Sequence, residues 1–361
     1  MRIAPPKLVT RSLAAVALVL AVTACGDQSE SSADAASGGG AAEEMRLGYF
    51  ANVTHAAALI GVQNGAIADE LGTGTTLTTQ VFNAGPDEVE ALFAGAIDAA
   101  YIGPSPTINA YGQSGGDAIR IIAGAASGGA QLVVRDGINS AADLKGTNLA
   151  SPQLGNTQDV ALRTWLTDQG LKNSVDGGGD VTISPTPNSD IPNLFQSGEL
   201  DGAWVPEPTA SLLVLERGGH VLVDEKDLWP GGRFVTTHLI VRTDFLEQYP
   251  DTVSALLRAH VRSVELAEQD APAAKQSVND GLDAAGGKSL TPEVLDRAWS
   301  ELTVTYDPVA PALKQSAENG FTAGTTAEQV DLDGIYDLRL LNGILEDEGR
   351  EAVSAGGLGA Q

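Results

Sequence analysis

From Met45 onward the chain alternates short apolar runs, typical of strands, with longer stretches typical of helices. Beyond Asp244 the pattern becomes mainly helical, over 244–271 and 291–302. This order predicts an α/β protein with largely parallel sheets and a helical C-terminal region. The predicted strands are 46–50, 75–82, 99–102, 119–125, 131–135, 148–150, 181–184 and 203–205, and helices are expected after residue 54, over 86–94 and 158–169, and before Ser197.

Two stretches, 95–102 and 198–205, share one pattern. Each starts with a glycine that ends a helix, continues with an aspartate and ends in an apolar strand that carries Tyr101 or Trp204. Prolines follow both strands. The repeat predicts two similar lobes that bring their strand ends to one shared cleft, because ligands of open α/β sheets bind beyond the carboxyl ends of strands.

The amino terminus has the features of an export signal. Arg2, Lys7 and Arg11 precede an apolar run over 13–22 that is too short to span a bilayer, and small residues lead to Cys25. The string Val-Thr-Ala-Cys at 22–25 resembles a bacterial lipobox, in which the cysteine is diacylated and becomes residue one. Cys25 is the only cysteine, so an intrachain disulfide is excluded. We expect a lipoprotein signal peptide over 1–24; an ordinary secretory peptide is the alternative.

Residues 26–44 contain no aromatic or large aliphatic side chain. Such a segment cannot bury enough surface to order itself, so 25–44 is predicted to be a disordered tether. The chain that follows is too long for one simple core, and two domains are expected.

Composition and motifs exclude several classes of function. The net charge of −26 provides no basic surface for nucleic acid or for acidic lipids. The sequence has no GxSxG, HExxH or Walker-type motif and no GxGxxG after a strand. Its four histidines lack metal-ligand spacing. We therefore expect neither an enzyme nor a bound metal or cofactor.

Five segments, in this order, resemble the NMT1/SsuA-like substrate-binding proteins, which serve ABC importers for nitrate, taurine, aliphatic sulfonates and pyrimidine thiamine precursors. The resemblance implies the two-lobed periplasmic-binding-protein fold (type II), with lobe one over 45–133 plus 236–361 and lobe two over 134–235. The segments are Leu47–His55, Gly103–Pro106, Ala142–Gly146, Gly155–Asp159 and Trp204–Pro208.

Asn156, Thr157 and Gln158 lie between a predicted strand and a predicted helix. The first N–H groups of a helix have no intrahelical partner and lie at its positive end, so these residues form a candidate cradle for an oxyanion. The alternative is that Asn156 or Thr157 only caps the helix.

Other candidate ligand contacts lie in the loops that follow further strands. Trp204 has two possible roles, facing a ligand or filling the core of its lobe, and Glu207 would suit an amine or a ring nitrogen better than an anion. These candidates are Asn52, Thr54 and His55 after the first strand, Ser105 and Pro106 after the third, Trp204 and Glu207 in the 204–208 turn, and Thr236 before the returning strand.

The sequence thus favours a monomeric, lipid-anchored binding protein on the extracytoplasmic face of the cell membrane. It would deliver a small organosulfonate or similar oxyanion to the permease of an ABC importer. A neutral or cationic heterocycle such as a pyrimidine is the alternative ligand, and an adhesive or scaffold lipoprotein is the alternative of another class.

Replacing Cys25 with serine tests the anchor. Cys25→Ser should prevent acylation and leave protein that is uncleaved or released. The lipobox cysteine is the residue that is acylated, and the chain has no other cysteine. Detergent-phase partitioning measures this. Normal partitioning of a cleaved Cys25→Ser protein would contradict the lipobox interpretation.

Overall fold

The computed structural model describes residues 40–361, which form two sheets flanked by helices. The predicted signal peptide, Cys25 and most of the tether lie outside the described residues. The last residues assigned to the tether are an exception, because Ala42 is buried and its backbone N–H donates to Thr252 Oγ1. The first strand begins at Glu44, inside the predicted tether.

Strand and helix bounds follow the predicted order closely. The strands are β1 (Glu44–Phe50), β2 (Thr76–Phe82), β3 (Ala99–Ile102), β4 (Ile119–Gly128), β5 (Ala130–Val134), β6 (Asn148–Ser151), β7 (Thr182–Pro185), β8 (Gly202–Pro206), β9 (His220–Asp224), β10 (Val235–Arg242), β11 (Leu302–Val304), β12 (Tyr336–Asp337) and β13 (Gly359–Ala360). The α-helices are α1 (Ala56–Gln63), α2 (Ala66–Leu71), α3 (Gly85–Phe93), α4 (Pro104–Gln113), α5 (Thr157–Asp168), α6 (Ile191–Ser197), α7 (Thr209–Glu216), α8 (Thr243–Gln248), α9 (Pro250–Gln269), α10 (Ala271–Ala284), α11 (Pro292–Ser300), α12 (Ala310–Thr322) and α13 (Arg339–Asp347).

The first sheet has the order β13-β12-β4-β10-β3-β1-β2, with β11 also paired to β4. Strands β1, β2 and β3 are parallel, and β10 returns antiparallel between β3 and β4. The second sheet has the order β7-β6-β8-β5-β9, in which β6, β7 and β8 are parallel and β5 is antiparallel to β8 and β9. We call the part built on the first sheet lobe one (40–129 and 235–361) and the part built on the second lobe two (130–234).

These boundaries differ from the predicted ones by a few residues. Strand β5 begins at Ala130 and belongs to the second sheet, whereas the sequence placed residues up to 133 in lobe one. The reason is that β4 and β5 are separated only by Gly129, so the chain changes sheets within what reads as one apolar stretch. The predicted long helix over 244–271 is also interrupted, since Pro250 and Asp270 each start a new helix.

The repeat seen in the sequence is also present in the structure. Asp98 exchanges backbone and side-chain hydrogen bonds with Arg46 at the start of β1: its N–H donates to the carbonyl at 2.8 Å and its carboxylate accepts from the N–H at 2.9 Å. Asp201 makes the same two bonds to Asn148 at the start of β6, both at 2.8 Å. The two aspartates therefore fix equivalent strand pairs in the two lobes.

Two segments connect the lobes and are hydrogen-bonded to each other. The first passes through Gly128 and Gly129, both at positive φ, and the second leads into β10. Gly128 N–H donates to the Phe234 carbonyl at 3.3 Å, and Thr236 Oγ1 donates to the Gly128 carbonyl. A small apolar cluster that includes Ala130, Phe234 and Val235 packs beside them. The crossings thus form one joined hinge.

Within residues 40–361 no helix is both long enough and apolar enough to cross a bilayer.

The packing of β4 against the 305–309 segment can be tested at Gly124. A methyl group there would lie 2.1 Å from the Asp307 carbonyl oxygen, so Gly124→Ala should cost about 1–3 kcal/mol of unfolding free energy. Gly343→Ala is the matched control, because Gly343 is exposed inside α13 with nothing within 4 Å of the added atom. It should stabilise by about 0.5–1 kcal/mol. Urea denaturation measures the unfolding free energy of both variants. If Gly124→Ala is as stable as the parent protein, the packing of β4 against the 305–309 segment is loose.

Candidate functional site

The loops beyond the carboxyl ends of the parallel strands of both sheets meet at one cavity. Because β10 is antiparallel to β3, its beginning also lies at this edge and contributes Thr236. The free space among the residues that line the cavity is about 290 Å³, a value that includes space open to solvent. In this arrangement of the lobes the enclosed part has room for about one water molecule, so even a small organic ligand requires the lobes to separate. Its lining residues are Phe50, Asn52, Thr54, His55, Gly103, Asn156, Thr157, Gln158, Asn188, Pro206 and Thr236.

Lobe two contributes the start of α5. Asn156 is the N-cap residue with extended backbone, yet in the described part of the chain its side chain makes no capping hydrogen bond. Thr157 is 8% exposed, and its Oγ1 has no hydrogen-bond partner among residues 40–361. The alternative that either side chain only caps the helix therefore has no support in the geometry. The free N–H groups of the first turn, the Thr157 hydroxyl and the positive helix end act together as a donor site.

A buried ion pair holds this loop in place. Asp159 accepts hydrogen bonds from Ser151 Oγ at 2.7 Å and from the Gly155 N–H at 3.0 Å. Arg163 Nε lies 2.9 Å from the same carboxylate, and both side chains are almost fully buried. Arg163 also donates to the Ser174 carbonyl at 2.9 Å. The charge of Asp159 is thereby compensated inside lobe two.

Lobe one contributes Thr54 and His55 from the short 3₁₀ turn before α1. Both are buried, and Thr54 Oγ1 lies 3.2 Å from His55 Nδ1. His55 Nε2 lies 3.0 Å from the Tyr101 carbonyl oxygen, and the imidazole packs on the Phe50 ring with a centroid separation of 4.5 Å. Burial lowers the pKa of His55 to about 3, although the bond to Tyr101 opposes this. His55 is therefore neutral and offers a ligand no positive charge.

The two lobes touch around the cavity. A methyl group on Gly103 would lie 2.3 Å from Thr157 Oγ1 and would displace this hydroxyl from its place against lobe one. Gln153 Nε2 donates to Asp87 Oδ1 at 3.2 Å, and Thr164 Oγ1 donates to the Asn319 carbonyl at 3.1 Å. These bonds join the loop before α5 and the middle of α5 to lobe one.

Ser105 and Pro106, predicted at the site, do not line the cavity. Pro106 instead lies against the beginning of α3, where a methyl group on Gly85 would come within 2.3 Å of its ring. The predicted donor role of this helix start is also reduced, because Pro104 and Pro106 have no N–H.

Trp204 fills the core of lobe two and does not reach the cavity. It is fully buried in the middle of β8, and its ring lies 6.0 Å from that of Trp165. Its Nε1 donates to Glu225 Oε2 at 2.8 Å. Tyr101, its counterpart in the repeat, is equally buried in lobe one. Of the two roles that the sequence left open, the structure selects the core.

Glu207 was predicted to contact ligand, but its carboxylate points elsewhere. It is fully buried, accepts from the Ser211 N–H at 3.0 Å and lies 2.9 Å from Arg297 Nη1. Arg297 comes from α11 of lobe one and also donates to Ser211 Oγ and Gln131 Oε1. Burial raises the pKa of Glu207 to about 7, in opposition to the bonds from Ser211 and Arg297. Glu207 therefore links the lobes.

The remaining predicted residues, Asn52, Thr54, His55, Asn156, Thr157, Gln158 and Thr236, all line the cavity. Sequence reasoning missed Phe50, Gly103, Asn188 and Pro206 as site residues. Asn188 follows β7, so the rule that found Asn156 could have found it too. Its Oδ1 is buried without a partner in the described chain.

No charged side chain lines the cavity formed by the described residues. Across 40–361 no three histidine, aspartate or glutamate side chains are grouped so that they could hold a metal ion. The cavity can therefore act on a ligand only through neutral donors, neutral acceptors, helix-end dipoles and apolar walls.

The model of the NMT1-like family matches residues 38–280. The chain belongs to the NMT1-like family. A Brucella abortus protein provisionally named a binding protein is 29% identical over 269 residues, 70% of this chain and 78% of that one. A Bacillus subtilis protein with the provisional name aliphatic sulfonates-binding protein is 25% identical over 272 residues, 74% of this chain and 77% of that one.

Among solved structures, the alkanesulfonate-binding protein SsuA from Xanthomonas axonopodis pv. citri, bound to MOPS, superposes on this NMT1-like protein with a TM-score of 0.67. The match has 20% identity over 81% of this chain and 96% of the other. The two-lobed periplasmic-binding-protein fold and the family predicted from the sequence are thus confirmed. The relatives are named as binding proteins and not as enzymes, in agreement with the sequence-based expectation.

The buried Glu225 under Trp204 gives this NMT1-like protein a pH-dependent stability. Burial raises its pKa to about 7 from 4.5, against the opposing bond from Trp204. The folded state then holds a proton that the unfolded state has lost, so the contribution of Glu225 to stability is complete below about pH 4.5 and is lost by about pH 7. The loss is about 3 kcal/mol at most, at about 1.4 kcal/mol per pKa unit.

Glu225→Gln keeps an acceptor for Trp204. It should remove the contribution of Glu225 to the difference in unfolding free energy between pH 5 and pH 8. Glu207, with a pKa of about 7, accounts for a further part that the variant retains. Asp227→Asn, at an exposed position two residues on, is the control and should leave the decline unchanged. An unchanged decline in Glu225→Gln would show that Glu225 is ionised in the fold.

Proposed function

We propose that the protein is an exported substrate-binding protein, anchored to the extracytoplasmic face of the membrane through Cys25. It delivers a small organosulfonate or similar oxyanion to the permease of an ABC importer. One observation supports the ligand class most: the Thr157 hydroxyl, buried and without a partner among residues 40–361, lies at the positive end of α5 in a cavity between two lobes.

The cavity suits an anion that is held without a salt bridge. A helix end acts as about half a positive charge, and its free N–H groups point outward. Hydrogen bonds from neutral donors to an ionised group are stronger than bonds between neutral groups. Arg163 compensates the negative charge of Asp159. The positive end of α5 therefore remains available to the ligand.

The alternative ligand, a cationic or neutral heterocycle, was favoured by Glu207 and by the net charge of −26. That carboxylate is occupied by Arg297 and Ser211 and is absent from the cavity lining of the described chain. The provisional name of the Bacillus subtilis relative and the name of the solved Xanthomonas structure also support a sulfonate. The structure thus favours the oxyanion.

Capture follows from the arrangement of the lobes. The joined hinge at Gly128 and Thr236 connects the lobes, and contacts such as Gln153 with Asp87 and Thr164 with Asn319 hold them around the cavity. A ligand that bonds to both walls stabilises this arrangement, which the permease then recognises. An adhesive or scaffold lipoprotein would show no stabilisation by a small molecule.

Thr157→Ala tests the role of the helix start. The loss of a donor to a charged group should cost about 1.5–3 kcal/mol, so affinity should fall roughly tenfold or more while the ligand-free melting temperature stays nearly constant. The ligand is first chosen by thermal shift from alkanesulfonates, taurine, nitrate, sulfate esters and pyrimidines. A ligand at one hundred times its Kd stabilises the fold by about 2.7 kcal/mol. Calorimetric titration then compares the variant with the parent protein.

Thr167→Ala is the matched control, since Thr167 lies on the same helix, is exposed and bonds only within lobe two. Its affinity should equal that of the parent protein. An unchanged affinity in Thr157→Ala would leave α5 without a binding role. If none of the compounds shifts the melting temperature, the oxyanion function is refuted.

A further inference from the structure

Arg297, on α11 of lobe one, bonds to three elements of lobe two. Its Nη1 donates to Glu207 Oε1 at 2.9 Å and to Ser211 Oγ at 2.8 Å, and its Nη2 donates to Gln131 Oε1 at 2.7 Å. These partners lie after β8, on α7 and on β5, and none of them is more than 2% exposed. One guanidinium group of lobe one thus bonds polar groups that lobe two keeps away from solvent.

Both sides of this contact are joined directly to the hinge. On lobe two, the Glu207 N–H donates to the Gly129 carbonyl at 2.9 Å. On lobe one, α11 leads into β11, and β11 pairs with the end of β4 so that Leu302 lies opposite Gly128. The chain passes between the lobes at these two glycines, which both have positive φ. A rotation of the lobes about the glycines therefore moves Glu207 relative to Arg297.

The bonds of Arg297 fit only a narrow range of lobe positions. A guanidinium group is planar with N–H groups in fixed directions, and hydrogen bonds weaken steeply when they are bent or lengthened. Displacements are small close to a hinge, so the separation that admits a few ligand atoms retains the contact. Wide opening breaks it and leaves the buried Glu207 carboxylate without its compensating charge, which is costly. We call the range of positions that keeps the contact the closed arrangement.

Two other ion pairs between the lobes of the described chain are exposed. Lys226 lies 3.4 Å from Glu301, and Arg233 lies 2.6 Å from Asp307. The side chains of Lys226 and Arg233 are 46% and 61% exposed, whereas that of Arg297 is 18% exposed and its partner carboxylate is fully buried. Exposed pairs contribute little, because water and salt screen them. The contact of Arg297 therefore dominates the ionic attraction between the lobes.

We infer that Arg297 is a positioning residue for ligand capture, which stabilises the closed arrangement across the hinge and so sets affinity without touching the ligand. Arg297 does not line the cavity of the described chain. The inference rests on the proposed function, in which a ligand bonds to both lobes and so needs the closed arrangement. Apparent affinity falls by the factor by which a binding-competent arrangement is depopulated. The loss of Arg297 should therefore weaken every ligand by the same factor.

Arg297→Gln tests this by calorimetric titration of two probes, methanesulfonate and ethanesulfonate, into the full protein at pH 8. Burial raises the pKa of Glu207 to about 7, so its carboxylate is ionised at this pH. Affinity for both probes should fall by one common factor, roughly tenfold or more. Arg297→Lys keeps the charge without the planar fork and should lie between. Equal affinities, or a fall for one probe only, would overturn the inference.

Arg258→Gln is the matched control, because Arg258 pairs with Glu70 at 2.8 Å and both residues belong to lobe one. It should leave both affinities unchanged. Glu207→Gln should weaken both probes about as much as Arg297→Gln, and the double variant should be no weaker than the single ones, since all three break one contact. Additive losses would show that Glu207 and Arg297 act separately, against the inference.

A measurement without ligand separates this contact from the proposed function. Spin labels attached through Glu90→Cys on α3 and Asn193→Cys on α6, both exposed positions, report the distance between the lobes in a Cys25→Ser background. The parent protein should populate a short distance that Arg297→Gln loses and Arg258→Gln retains. An unchanged distance distribution in Arg297→Gln overturns the inference, whatever the probes do. If neither sulfonate binds the parent protein, the oxyanion function fails and the label distances alone decide on Arg297.

Discussion

The chemistry of the cavity depends on the buried ion pair between Asp159 and Arg163. Asp159 lies in the first turn of α5, where its negative charge would otherwise cancel the positive helix end and repel an anion. Arg163 is 2% exposed and compensates that charge from inside lobe two, while the Gly155 N–H donates to the same carboxylate oxygen and Ser151 Oγ to the other. The same bonds hold the 151–157 loop in the shape that leaves the Thr157 hydroxyl free. One pair of residues four positions apart thus supports both the geometry and the electrostatics of the α5 start.

A second ionic network, between lobes, is made by Arg297. It bonds Glu207, Ser211 and Gln131, all of lobe two, although α11 belongs to lobe one. The removal of one partner from such a buried pair leaves the other charge uncompensated, which costs more than the pair contributes. Any movement of the lobes must therefore keep this contact or replace its bonds with water. Together with the hinge bond between Thr236 and Gly128, it joins the lobes through polar contacts.

Several polar groups at the cavity are oriented by bonds that do not involve a ligand. Carbonyl groups of Tyr101 and Gly128 determine where the hydrogens of His55 and Thr236 point, and His55 in turn orients Thr54. Main-chain carbonyls thus fix the direction of these groups before a ligand arrives. Preorganised polar groups of this kind discriminate strongly, because a wrong ligand leaves them unpaired in a site from which water is excluded.

The sequence by itself determined the fold class, the repeated lobes and the loops that meet at the cavity. These follow from local rules: the apolar period distinguishes strand from helix, and a loop after a parallel strand lies at the carboxyl edge, as Asn156 and Thr157 do. Only the tertiary structure decided what individual side chains in those loops contact. Trp204 turned into the core because Trp165 and Glu225 surround it, and Glu207 turned to Arg297, 90 residues further along the chain. The Tyr101 carbonyl, 46 residues further along the chain, orients the His55 ring that contacts Thr54. The direction of a side chain or a hydroxyl hydrogen depends on partners that the fold brings together, and no local pattern in the sequence encodes them.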